Sequence, residues 1–418
     1  MTSAPPPAPR RRSGATARIV LGVAGGIAAY KACEVLRRLT EAGHSVRVIP
    51  TESALNFVGA ATFEALSSQP VRTGVFEDIP EVAHVRLGQQ AELVVVAPAT
   101  ADLLSRAARG RADDLLTATL LTARCPVLFV PAMHTEMWLH PATQDNVALL
   151  RSRGLTVMEP ASGRLTGVDS GPGRLPEPAE IAELARLLLE RPDALPHDLS
   201  GRRIVVSAGG TREPLDPVRF LGNRSSGLQG FALARVAAQR GAEVTLVAAH
   251  TAELAAPAGV RMVHASTAAS LREAMLAEAA EAEVVVMAAA VADFRPAQQA
   301  DHKIKKTAAG PPTITLETNP DILVELVGKR RDGQLIVGFA AETGDETGDV
   351  LHHGRAKLAR KGCDLLVVNA VGEGRTFEQP DNAGWLLSAD GTEVELPSGS
   401  KALLASRVWD AVARRSPV

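Results

Sequence analysis

The chain has 418 residues, 46% hydrophobic and 22% charged, with a formal net charge of −2 at pH 7. That length exceeds what one core usually fills, so two domains are expected, and the near-zero charge excludes the broad basic field that nucleic-acid or membrane-surface binding requires. Three cysteines, Cys33, Cys125 and Cys363, stand far apart with no C-x-x-C pair, which argues against a disulfide framework or structural zinc and for a reducing, cytoplasmic setting.

No apolar run reaches the roughly 18 residues of a spanning helix, so no membrane partner is expected. Residues 1–17, rich in Pro and Arg, read as a disordered leader. Arg10-Arg-Arg12 before an apolar stretch imitates an export signal, but that stretch carries Gly22, Gly25 and Gly26 and runs on into a helix and a second strand. Arg18 to Val23 reads as a strand, Ala24-Gly-Gly26 as a tight turn, Ile27 to Ala42 as a helix ended by Gly43, and His44 to Ile49 as the next strand. This βαβ pattern implies a parallel sheet and a right-handed crossover. The G-x-G-x-x-G fingerprint is absent, and the second strand ends in Pro50-Thr-Glu-Ser53, so the acidic ribose clamp of a dinucleotide site is ambiguous. A short Gly turn facing a hydroxyl pair suits a single phosphate, as in FMN, better than a dinucleotide, although the spacing leaves both open.

Leu93 to Ala97 and Val127 to Val130 are further apolar strands, closing in Pro98-Ala-Thr-Ala-Asp102 and Pro131-Ala-Met-His-Thr-Glu-Met-Trp138. Ligands bind outside such strand ends in open α/β sheets. The Gly- and Pro-rich run from Pro160 to Pro178 is long for a structureless connection and reads as a lid or flap. A helix from Ala179 to Glu190 closes this domain, and residues 191–200 have linker composition.

Ile204-Val-Val206 reads as a buried strand that runs into Gly209, Gly210, Pro214 and Pro217, so an irregular loop follows it. Ser225-Ser-Gly227 then opens a helix with Phe231, Leu233, Ala234 and Val236 on its apolar face. A Ser N-cap with Gly in the first turn leaves backbone N–H groups for a phosphate, although no Walker loop is present. Further strands are placed at Glu243–Val247, Val260–Val263, Glu283–Met287, Leu335–Val337 and Asp364–Val368, and His302 to Lys306 reads as an exposed loop or ribbon whose strand-like spacing puts Lys303 and Lys305 on one face. The expected fold is therefore α/β: two Rossmann-like three-layer domains with mainly parallel sheets, 18–190 and 201–418, joined by 191–200.

Several motifs carry a family resemblance. Gly25-Gly-Ile-Ala-Ala-Tyr-Lys31, Ala83-His84, Ala97-Pro-Ala-Thr-Ala-Asp102 and Pro131-Ala-Met-x-x-x-Met-Trp138 resemble the flavin-containing cysteine decarboxylases. Ser207-Ala-Gly-Gly-Thr-Arg-Glu-Pro-Leu-Asp-Pro-Val-Arg219, Asn223-x-Ser-Ser-Gly227, Ala289-Ala-Val-Ala-Asp293, Lys303-Ile-Lys-Lys306, Asn319-Pro-Asp321 and Gly338-Phe-Ala-Ala-Glu342 resemble phosphopantothenate–cysteine ligase. Together, from about 18 to 415, the chain resembles the bacterial bifunctional coenzyme A biosynthesis family.

The resemblance implies CTP- and Mg²⁺-dependent activation of phosphopantothenate as an acyl-cytidylate, capture by cysteine, and then decarboxylation of phosphopantothenoylcysteine, with FMN taking a hydride from the thiol-bearing carbon and returning it. It implies that Lys303 neutralises charge where a carboxylate meets a triphosphate, that Asn223 handles the acyl-cytidylate, and that Asp293 reads the cytosine or ribose. Lys357 and Lys361 then contact the nucleotide from one helix face, and Ala289, Asn319, Pro320 and Phe339 complete the substrate contacts. In the N-terminal half the resemblance implies an active-site role for His84, FMN contacts for Gly25, Gly26, Thr51 and Thr100, and substrate contacts for Met133 and His134. The sequence departs from the family twice. His134 stands where Asn is usual, and the flap Ser162–Gly171 lacks the usual proton-donating Cys, leaving Asp169 as the chosen donor, with Thr166 or a water as the alternatives. Cys125, ahead of a buried strand, is a poor replacement. The resemblance also implies a homo-oligomer, with trimers of one half and dimers of the other, and flavin sites formed between subunits. Direct metal ligands are not legible. The competing readings are a tandem NAD(P)-dependent oxidoreductase and a regulatory flavoprotein without turnover.

Overall fold

The computed structural model describes residues 16–74, 83–165, 170–305, 313–342, 348–370 and 381–415. They form two compact units, residues 1–197 with 257–259, and residues 198–256 with 260–418.

The first unit is built on strands β1 (Arg18–Val23), β2 (Ser45–Pro50), β3 (Leu93–Ala99), β4 (Val127–Pro131) and β5 (Thr156–Val157), all parallel and in the order β2-β1-β3-β4-β5. Every residue of β3 is buried, as a continuous apolar run demands when both faces of a parallel sheet are covered. This order is the flavodoxin-like doubly wound arrangement, whose switch point lies between β1 and β3. The expected helix from Ile27 to Ala42 is instead a 3₁₀ turn, Ile27–Lys31, followed by an α-helix, Ala32–Glu41. The N-cap of the 3₁₀ turn, Gly26, has no side chain with which to cap it, and the chain closes the turn tightly, with Ala29 N donating to Gly26 O at 2.9 Å. The Gly/Pro run after Pro160, expected as a lid or flap, contains an antiparallel ribbon, β6 (Ala161–Arg164) with β7 (Ser170–Arg174).

The second unit adds β8 (Arg203–Ala208), two short strands β9 (Arg212–Pro214) and β10 (Phe220–Gly222), then β11 (Glu243–Ala248), β12 (Val260–His264) and β13 (Val284–Met287). They are followed by β14 (Phe294–Pro296), β15 (Leu316–Thr318), β16 (Leu335–Glu342), β17 (Leu365–Ala370), β18 (Asp381–Ser388) and β19 (Glu393–Ser400). The main sheet runs β12-β11-β8-β13-β16-β17-β18-β19. Its first six strands are parallel and follow the Rossmann order, with the switch point between β8 and β13. β18 and β19 extend it antiparallel and were not expected; Trp385, Leu386 and Leu387 mix with polar residues and Gly384 instead of forming one apolar run. β9–β10 and β14–β15 are separate antiparallel ribbons.

One local expectation fails and another is decided by the geometry. The helix Leu228–Gln239 is capped by Gly227 at φ +78°, not by a serine; the Ser225 hydroxyl turns back to accept from Gly227 N at 3.4 Å. Of the loop and ribbon readings of the stretch after His302, the loop holds over the described residues 302–305: the Ile304 backbone bonds to side chains of the 216–219 turn and not to a neighbouring strand.

Candidate functional site

At the carboxyl ends of β1, β3 and β4 lies a cavity of ≈ 560 Å³, within the usual size of cofactor and substrate sites. The turn Gly25-Gly26-Ile27 supplies one wall, Pro98 and Thr100 a second, Met133 and His134 a third, and Arg164, Gly173 and Arg174 of the ribbon close it. Gly25 is pressed on the 51–53 segment: a Cβ there would lie 2.3 Å from Ser53 Oγ and 2.7 Å from the Ser53 carbonyl carbon. Beneath it, the Thr51 and Ser53 hydroxyls are 3.0 Å apart, and Thr51 accepts from Ala54 N at 3.3 Å. Gly26 is open, with only the Thr100 methyl near, and Thr100 caps the helix Ala101–Arg109 by accepting from Leu103 N at 3.3 Å. A Gly turn and the N-terminus of the helix Ala101–Arg109 therefore meet on the wall at the switch point, with the Thr51–Ser53 hydroxyl pair bracing the turn from behind, a set of backbone N–H donors that fits one phosphate monoester.

The ribbon is seated on the segment after β4. Met133 N donates to Gly173 O at 2.9 Å, and the Thr135 hydroxyl donates to Pro172 O at 2.8 Å. Gly173, at φ +133°, passes so close to Met133 O that a Cβ would meet it at 2.3 Å. This places Arg164 and Arg174 beside Lys31 on the wall, a cationic lining that the sequence reading missed; Lys31 and Arg174 both pair with Glu177. Lys31 was visible in the first glycine motif, but its direction depends on the 3₁₀ turn.

The expected residues divide plainly. Gly25, Gly26, Thr100, Met133 and His134 share the cavity wall. His134 begins the helix Thr135–Leu139 without spending its imidazole on the cap. Thr51 is buried behind the turn and supports it. His84, in the helix Ala83–Gln90, is not on this wall; its Nδ1 is buried without a hydrogen-bond partner among the described residues, and its carbonyl accepts from the Thr122 hydroxyl at 2.7 Å. Asp169 and Thr166 lie outside the described residues. Cys125 is not on the wall, and burial pushes its thiol up to about 11, which makes it a poor acid near neutral pH.

In the second unit the converging element is the loop 288–293 after β13. The buried Ser207 hydroxyl accepts from Ala288 N and Ala289 N, each at 3.0 Å, and the Thr211 hydroxyl accepts from Ala292 N at 2.9 Å. Asn223 Nδ2 donates to Val291 O and Asn319 Nδ2 to Ala292 O, both at 2.8 Å, while Asn319 N donates to Asp293 O at 2.8 Å. Asn223, Ala289, Asp293 and Asn319, far apart in sequence, are thus tied to one loop at the β8–β13 switch point. Beside it, Gly210 exchanges two hydrogen bonds with His250 at the end of β11, and burial followed by the charge of Arg212 holds the His250 imidazole below its ordinary range. The N-terminus of Leu228–Gln239 has no side-chain cap. Ser207 and Thr211 lie inside a quoted motif, but only the sheet register shows what their hydroxyls hold.

Pro320 is exposed and Phe339 half-buried on β16. Lys357 pairs with Glu342 at 2.8 Å and Lys361 with Asp321, so the two lysines engage different acids. Burial raises the Asp321 pKa, but the Lys361 contact and the Val324 N–H outweigh it and leave the carboxyl below its usual range. Lys303 and Lys305 are exposed. Among the described residues no group of three or more His, Cys, Asp or Glu side chains converges on a metal position.

A flavodoxin-like unit with a mononucleotide-sized cavity, followed in one chain by a Rossmann-ordered unit with a polar loop at its switch point, defines a two-domain α/β protein with a candidate ligand site at each switch point. Residues 8–189 match the family described as Flavoprotein, and residues 199–415 match the DNA/pantothenate metabolism flavoprotein C-terminal domain. The coenzyme A biosynthesis bifunctional protein CoaBC of Mycobacterium tuberculosis is 71% identical over 400 residues, covering 94% of this chain and 96% of that protein. That of Mycolicibacterium smegmatis is 71% identical over 401 residues, covering 95% and 97%. The Bacillus subtilis protein of the same description is 42% identical over 402 residues, again covering 95% and 97%. The chain belongs to the coenzyme A biosynthesis bifunctional protein family.

Proposed function

We propose that the chain joins phosphopantothenate to cysteine through an acyl-cytidylate and then decarboxylates phosphopantothenoylcysteine to phosphopantetheine. The observation that carries this is the pairing, in one chain, of a mononucleotide-sized cavity at one switch point with the 288–293 loop at the other. The tandem NAD(P)-dependent oxidoreductase and the regulatory flavoprotein find no support in these similarities.

In the ligase half, between residues 201 and 418, the reaction sets a carboxylate against a triphosphate, and fixed N–H dipoles and cations must offset their repulsion. The uncapped start of Leu228–Gln239 orients N–H groups toward such a phosphate. Lys303 supplies the cation, Asn223 holds the acyl-cytidylate, and Ala289, Asp293, Asn319, Pro320 and Phe339 shape the nucleotide and substrate contacts. Lys357 and Lys361 release Glu342 and Asp321 in favour of nucleotide oxygens. Mg²⁺ enters bound to CTP and is held chiefly by the triphosphate.

In the decarboxylase half, between 18 and 190, FMN supplies the hydride acceptor that makes carboxylate loss possible. Gly25, Gly26 and Thr100 hold its phosphate from the turn and helix start, with Thr51 bracing them. Met133 and His134 position substrate against the flap, and Asp169 returns a proton. Ile27 and Tyr30, 63% and 60% exposed at the cavity mouth, suit burial against another copy, which fits a homo-oligomer in which His84 of one copy serves the cavity of the next. Among the described residues no helix is long and apolar enough to cross a membrane, and the three free cysteines suit a cytoplasmic location.

The test is to supply phosphopantothenate, cysteine and each nucleoside triphosphate in turn, following pyrophosphate and carbon dioxide. The expected result is yellow protein that releases both, with CTP preferred. Colourless protein that refuses added FMN and ignores CTP would overturn the proposal.

A further inference from the structure

We propose that Asp216 is a positioning residue for the ligation step, holding the lysine-bearing segment 301–305 in place through the Ile304 peptide; this rests on the ligase reading above.

Asp216 opens a tight turn, Asp-Pro-Val-Arg, and its side chain is fully buried. Its two oxygens have separate tasks. Oδ1 accepts from Val218 N at 2.7 Å and Arg219 N at 2.9 Å, which closes the turn locally. Oδ2 accepts from Ile304 N at 3.1 Å and Arg219 Nη1 at 3.3 Å, neither of which the turn needs. Arg219 Nη1 also donates to Ile304 O at 3.2 Å, so the N–H and the C=O of Ile304, in the two successive peptide units that flank its Cα, are both gripped by a single ion pair. At the other end of the segment, Ala300 N donates to Leu215 O at 3.0 Å. The residues between and after these anchors, Lys303 and Lys305, are exposed and flank Ile304 directly.

A turn of this kind asks only for a short side chain with one acceptor, and Asn or Ser would serve. A buried carboxylate is a costly choice unless further donors reach it. The donors that justify the charge here are the Ile304 N–H and Arg219, so the ionised group is explained by the segment it holds. A lysine meant to neutralise transition-state charge has to be held in position before reaction, because mobile cations must reorganise at the barrier. The anchored Ile304 peptide fixes the backbone on which Lys303 stands.

The division between the oxygens supplies a separating substitution. Asp216→Asn keeps an acceptor for Val218 and Arg219 and presents an NH₂ group to the Ile304 N–H. In the full-length protein the Ile304 amide should exchange hydrogen about tenfold faster, with the Val218 amide unchanged, as expected when one charge-assisted bond is lost. Turnover for CTP-dependent pyrophosphate release should fall about tenfold or more, with KM for CTP held within about twofold, and carbon dioxide release from supplied phosphopantothenoylcysteine should be unaffected. Ile304→Pro, which deletes the N–H and leaves the turn intact, should reproduce the loss of turnover. Wild-type pyrophosphate turnover in both variants overturns the inference alone, as does Asp216→Asn exposing the Val218 amide equally, which would show mere turn stability. Absence of pyrophosphate release from the unmodified protein would overturn the ligase reading, and this inference with it.

Discussion

In the proposed reading, Gly25 and Lys303 are single residues on which the two chemistries depend in different ways. Gly25 is constrained by close packing: its neighbours include the Ser53 carbonyl carbon, which cannot rotate away as a side chain can. Gly25→Ala should therefore displace the turn, destabilise the protein by about 1–3 kcal/mol as overpacked sites do, and yield protein without flavin absorbance. Retention of stoichiometric FMN by this variant would remove the turn from the cofactor site. Lys303 is the opposite case, an exposed side chain with no packing duty to lose. Lys303→Gln should lower CTP-dependent pyrophosphate release by at least about 10²-fold, the scale on which one fixed transition-state donor acts, while leaving stability and carbon dioxide release from supplied intermediate unchanged. His134, in place of the usual Asn, was visible at this scale, as was the flap without cysteine. The pairing of Ser207 with the 288–289 amides was not, because a serine inside an apolar strand carries no sign of what its hydroxyl will reach.

Among elements, those written as uninterrupted apolar runs were legible. β8, β13 and β3 are Val- and Ile-rich stretches whose burial on both faces leaves little choice of structure. β9, β10, β14 and β15, three residues each, are too short to carry a period, and they exist because partner backbone is nearby. The N-terminal shift from Ser225 to Gly227 has the same origin: tertiary packing brings Gly227 against Thr251 and Gly209, where a Cβ would lie 2.5 Å from the Thr251 methyl. Elements of the second unit are also joined electrostatically. Glu325, on the helix Ile322–Lys329, accepts from Arg272 of the helix Ala268–Ala279 at 2.5 and 2.6 Å and from Lys329 at 2.9 Å. Those bonds, the Arg272 pair first, lower its pKa from 4.5 to about 2. Because the folded value is the lower one, the stabilisation is fully present above the unfolded value of 4.5 and is lost as pH falls toward about 2. Thermal midpoints should therefore decline through that window, and Glu325→Gln should flatten the part of the decline that this carboxylate causes. An unchanged pH profile in the variant would remove the ion pairs from the account.

For the whole molecule, the sequence showed two α/β domains with mainly parallel sheets, since alternating strand and helix patterns admit few other topologies. The antiparallel extension by β18 and β19 escaped it, because a chain that reverses beside an existing sheet leaves no mark beyond weak alternation. The N-terminal cavity lies wholly within the first unit and the 288–293 loop wholly within the second. If each site is complete within its own unit or its own kind of assembly, the two steps need share only the intermediate. Gly25→Ala, supplied with phosphopantothenate, cysteine and CTP, should then release pyrophosphate without carbon dioxide, and Lys303→Gln should release neither. Mixed, they should release both, with carbon dioxide lagging until phosphopantothenoylcysteine accumulates in solution and shortening its lag as the Lys303→Gln share rises. A mixture that makes pyrophosphate but never carbon dioxide would mean that the intermediate does not pass between molecules, so that the covalent union of the two units is required for the sequence and not merely convenient to it.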